Sequence, residues 1–133
     1  MDCSRVREDL LQFFATPRHG VAAAWLFGSV ARGTARAGSD VDVAILTDGS
    51  PSHGLDGLRL DLEGEVERML AIPTQLVVLD RAPVDLTHRV LRDGVLLCEP
   101  DRSARIRFEV RVRNEFWDLL PFLEEYRKVR RPA

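Results

Sequence analysis

The chain has 133 residues and 45% hydrophobic content, the size of one ordinary domain that can bury its own core without disulfide or metal staples. A formal net charge of -2 and a pI near 5.9 give no global attraction to a polyanion, which argues against a general nucleic-acid binder. The opening MDCSRVREDL is charged rather than an apolar core behind a basic start, and no apolar run approaches the ~18 residues of a membrane span, so a cytoplasmic protein is expected. Cys3 and Cys98 fit neither a zinc spacing nor a disulfide framework, as expected in a reducing compartment.

In chain order, Val6, Leu10, Leu11, Phe13 and Phe14 fall on one side of a helix over residues 4–15, which Pro17 and Gly20 stop. VAAAWLF, residues 21–27, is a short continuous apolar run of the kind found in strands covered on both faces, and it ends at Gly28. VARGTAR, residues 30–36, reads as a short basic helix, and VDVAIL, residues 41–46, as a second buried strand. TDGSPSHG is a loop by composition; Leu55, Leu58, Leu62, Val66, Met69 and Leu70 then repeat at helical spacing over residues 55–71.

A third strand is expected at TQLVVL, residues 74–79, then a helix over 84–93 opened by Pro83 and closed at Gly94, and a fourth strand at VLLC, residues 95–98. The last helix, about 103–129, carries Phe116, Trp117, Phe122 and Leu123 over more than one face, which points to a partner or oligomer surface. Alternating strands and helices with short connections give a single α/β (α+β) domain over residues 1–133, with a core of about 1–100, a mixed sheet flanked by helices and a C-terminal helical extension.

The chemistry concentrates in GSVARGTARAGSDVD, residues 28–42. Alternate residues of a strand share a face, so Asp40 and Asp42 stand ~7 Å apart at their roots and can converge on one site. Two such carboxylates repel unless a cation joins them, and a hard ion such as Mg2+ with open positions for substrate phosphates is the usual partner. Gly28, where a buried strand ends, lets backbone N–H groups approach an anion, Ser29 adds a hydroxyl, and Arg32 and Arg36, four apart, can face the same anion. A Gly-Ser pair alone is ordinarily a turn and an Asp-x-Asp alone a solvated strand entrance; their conjunction in this order is the informative feature.

That stretch resembles the Gly-Ser, ten residues, Asp-x-Asp signature of the DNA polymerase β nucleotidyltransferase superfamily, and the short length with Ala31-Arg32-Gly33 narrows it to the minimal nucleotidyltransferases found as antitoxins beside HEPN-domain toxins. The resemblance implies a nucleotidyltransferase fold, Mg2+ held by Asp40 and Asp42 as the catalytic pair, ATP phosphates on Gly28, Ser29, Arg32 and Ser39, and transfer of AMP to a hydroxyl of a HEPN toxin. Active members usually carry a third carboxylate on a later strand, and by element order that position is Gln75, whose amide cannot take up a proton at neutral pH. Asp80 lies about 16 Å farther along an extended strand, and Glu63, Glu65 or Glu67 would have to reach in from a helix. The alternatives are an antitoxin that neutralises its partner by binding alone and, further off, a small-molecule nucleotidyltransferase, for whose extra substrate domain 133 residues leave little room.

Overall fold

The longest apolar run, residues 21–27, forms a central strand of the sheet. In the computed structural model, which describes residues 1–49 and 54–130, β1 (Val21–Phe27) pairs antiparallel with β2 (Val41–Thr47). β4 (Val95–Cys98) adds antiparallel to the free side of β1, and β3 (Thr74–Val78) adds parallel to β2, giving the mixed order β3-β2-β1-β4. Central strands buried on both faces need apolar residues at successive positions, and β1 and β2 supply them.

Helices cover both faces. On one, α1 (Cys3–Ala15) and α3 (Gly54–Leu70) bring Leu10, Phe14, Leu62 and Val66 against Leu26, Val43 and Ile45. Asp2 caps α1 by accepting a hydrogen bond from the Arg5 N–H at 3.1 Å. On the other, α4 (Val84–Asp93) and the first half of α5 (Arg102–Arg130) bring Val90, Phe108 and Val112 against Trp25, Ala44 and Leu46. Met69, expected in the buried stripe of α3, is exposed; Leu62 and Val66 are the buried positions of that helix. The expected loop at TDGSPSHG falls partly outside the described residues, at 50–53.

The expected third strand ends one residue early, because Leu79–Arg81 wind into a 3-10 turn. That turn puts the Asp80 carboxylate on the end of β2, where it accepts from the Thr47 N–H at 3.0 Å and the Thr47 hydroxyl at 2.7 Å. β3 is an edge strand whose outward N–H groups need acceptors. Glu63 and Glu67, one helical turn apart on α3, meet two of them: Glu63 accepts from Leu76 N–H at 2.9 Å and Glu67 from Thr74 N–H at 3.0 Å.

The second half of α5 leaves the domain. Phe116 still stacks on His88 of α4, with ring centroids 3.6 Å apart, but Trp117, Phe122, Tyr126 and Val129 are exposed. No helix among the described residues is long and apolar enough to cross a membrane.

The edge-capping pair generates a stability prediction. Thr74 and Leu76 are buried, so replacing both Glu63 and Glu67 by Ala leaves two donors short of an acceptor and should cost about 2 kcal/mol or more in urea unfolding. A wild-type midpoint in the double variant would mean that water serves these donors equally well.

Candidate active site

Because β1 and β2 are antiparallel neighbours, the connection between them leaves and re-enters the sheet at the same end. There the register sets Phe27 opposite Asp42 and Asp42 opposite Gln75, a row across three strands. Asp40, two residues ahead of Asp42, is exposed, and its Oδ2 lies 3.5 Å from Nε2 of Gln75. The strand pair and the parallel docking of β3 thus gather Asp40, Asp42 and Gln75 at one edge.

Gly28 abuts this row. Its φ of +76° lies in the left-handed region, and a Cβ there would overlap Asp42 Oδ2 and stand 3.2 Å from Asp42 Cγ. A glycine is therefore demanded twice over, by backbone conformation and by the approach of a carboxylate. Helix α2 occupies Gly28–Arg32, not 30–36 as the sequence suggested: Gly33, at φ +75°, ends it, donating its N–H to Val30 O, and the Thr34 N–H returns to Ser29 O. Arg36 consequently lies beyond the helix, and the expected shared face of Arg32 and Arg36 does not form. Ser39 spends its hydroxyl on a turn, accepting from the Arg36 N–H at 3.0 Å, whereas no hydrogen bond engages the Ser29 hydroxyl among the described residues.

The helix acids do not reach this site. Glu63 and Glu67 cap β3, Glu65 pairs with Arg18 at 3.2 Å, and Asp80 is fastened to the opposite end of β2. What sequence reading passed over is α4: Arg89 and Asp93 line a cleft of about 230 Å3 with Gly28 and Arg32. Charged residues on an amphipathic helix look like a solvated face, and no periodicity marks the two that turn toward a neighbouring element.

Burial holds the Asp42 carboxyl above its ordinary range, the nearby Asp40 carboxylate pushes the same way, and Arg32 opposes them. A hard divalent cation would relieve both of the raising causes, so the pair fits one. No cluster of three His, Cys, Asp or Glu side chains that could hold a metal forms among the described residues.

The family model described as polymerase beta, nucleotidyltransferase, matches residues 8–103, and the chain belongs to that family. Among solved structures, a chain of a toxin–antitoxin crystallised with AMP-PNP superposes with a TM-score of 0.68 at 19% identity, over 90% of this chain and 97% of that one. A chain of the complex between the tri-AMPylated Shewanella oneidensis HEPN toxin and its MNT antitoxin gives 0.63 at 16% identity, over 93% and 98%. A structure assigned to the minimal nucleotidyltransferases gives 0.57 at 33% identity, over 71% of this chain and 95% of that one. No curated protein sequence matches the chain significantly. The fold is therefore that of the nucleotidyltransferases, and the structural likeness extends over nine-tenths of the chain.

A folded-state carboxyl that holds its proton more tightly than in the unfolded chain destabilises the fold wherever it is ionised. Asp42→Asn, melted without divalent cations, should therefore be more heat-stable than the native protein at neutral pH. The gain should shrink as pH falls through the raised value and disappear below the ordinary 3.8. Equal melting temperatures throughout that series would show that Asp42 carries no such strain.

Proposed function

We propose that the chain is an antitoxin that transfers AMP from ATP to a hydroxyl of a cognate HEPN-type toxin, with Mg2+ held by Asp40 and Asp42. The observation that carries this reading is the contact of Gly28 with the Asp42 carboxylate, Asp40 two residues away, in a fold shared with a toxin–antitoxin chain crystallised with AMP-PNP. Mg2+ bound there would polarise phosphate oxygens and offset their charge. Gly28 leaves room for a phosphate beside the acids, the Ser29 hydroxyl is free to donate to it, and Arg32 faces the same charge. Ser39 contributes through the turn that places Asp40.

In the proposed reaction the acceptor oxygen bonds to the α-phosphorus of ATP in line with the departing pyrophosphate, and the bond from that phosphorus to the bridging oxygen breaks. The hydroxyl proton must leave, and the Gln75 side chain cannot receive it. With no carboxylate at that place, the proton passes to water, and the rate depends on how readily the acceptor hydroxyl ionises.

The in-register placement of Gln75 beside Asp42 also favours a second reading, in which the chain neutralises its partner by contact alone. Either reading gives the partner a surface on the exposed second half of α5, around Trp117 and Phe122. The same half of α5 would serve self-association.

Intact mass of a cognate HEPN toxin separates the two. Co-expression with the native chain should add one or more AMP units, co-expression with Asp40→Asn/Asp42→Asn none, and Gln75→Asp should raise the rate of transfer. An unmodified toxin that co-purifies with both forms would identify a binding antitoxin.

A further inference from the structure

The site is asymmetric about Asp42. Gln75 stands on its β3 side; on its β1 side, past Gly28, lies the cleft of about 230 Å3 between α2 and α4. Phe27 and Val90 line it with apolar surface, and Arg32 and Arg89 line it with two guanidinium groups. Neither arginine makes a hydrogen bond or ion pair with another described residue. Two arginines lining one small cleft, without hydrogen bonds or ion pairs to other described residues, leave guanidinium donors that an anion there can use.

The one acid in the cleft does not spoil it for an anion. Asp93 is held by both arms of Arg92, at 2.9 Å from Nε and 2.8 Å from Nη2, so its charge is answered by a third guanidinium. Arg32 acts electrostatically on both Asp42 and Asp93, so the cleft and the acid pair share this arginine. A phosphate chain that starts at Asp42 and runs past Gly28 therefore enters the cleft with its later phosphates.

We propose that Arg89 of α4 is a positioning residue that, opposite Arg32, binds the β- and γ-phosphates of the nucleotide and then the departing pyrophosphate. This rests on the nucleotidyl-transfer reading above and assigns the two sides of Asp42: phosphates over β1 and α4, acceptor over β3. A neutral nucleoside base would bring the two arginines no charge to pair with, which is why the phosphates are the better occupant.

The test is calorimetric binding of ATP and of AMP, each with Mg2+, to the native protein, Arg89→Ala and Arg89→Lys. Arg89 is exposed, so both variants should fold, and unchanged melting temperatures check it. For Arg89→Ala, ATP affinity should fall about tenfold or more while AMP affinity stays native, and Arg89→Lys should recover part of the loss. Equal losses for ATP and AMP would overturn the proposal in favour of a base subsite, and native ATP affinity in Arg89→Ala would overturn it outright. If the native protein itself binds neither nucleotide, the nucleotidyl-transfer reading falls first and this proposal with it.

Discussion

Everything at the functional end of the molecule depends on one close approach, the Asp42 carboxylate against the backbone of Gly28. The contact leaves no room for a side chain at position 28 and needs a left-handed backbone there, so the chain turns sharply out of β1 straight into α2. It also brings a backbone without a side chain beside an acid, the combination an anion and a cation together can use. The antiparallel pairing of β1 and β2 makes the approach unavoidable, since the residue after Phe27 must pass the residue opposite it, Asp42.

Much of the fold was legible because β1 and most of β2 are written as apolar runs and the helices as amphipathic repeats, two distinct patterns. Boundaries failed where local chemistry outweighed pattern. Gly28 and Ser29 looked like a turn ahead of a helix and are its first residues; Gly33 looked like an interior residue and ends it. The motif itself was legible as spacing, but the roles of Asp80, Glu63 and Glu67 were not, because an acid that caps a strand edge and an acid in water have the same sequence signature. Arg89 and Asp93 were missed for the same reason: only the placement of α4 across a cleft from α2 brings them near the site.

The charges sort themselves by strand. Asp40 and Asp42 lie on the β2 line, guanidinium groups on the β1 side, and a neutral amide on the β3 side. In a chain with a net charge of -2, two arginines thus stand together beside the acids. The second half of α5 is a separate matter, since after Phe116, which stacks on His88, its large apolar side chains Trp117, Phe122, Tyr126 and Val129 are exposed.

Gln75 is best understood through the strain already present at Asp42. Burial and the neighbouring Asp40 both work against ionisation there, and Arg32 offsets only part of it. A carboxylate at position 75, in register with Asp42 and beside Asp40, would add a third negative charge to the same row and deepen that strain whenever no cation is bound. The amide avoids that cost, and its Nε2 points a donor at Asp40 instead of a competing charge. What it gives up is a proton acceptor, so the proposed transfer relies on placing the nucleotide rather than on activating the acceptor. On that reading, the cleft that Arg32 and Arg89 line beside the acids is where such placement is built.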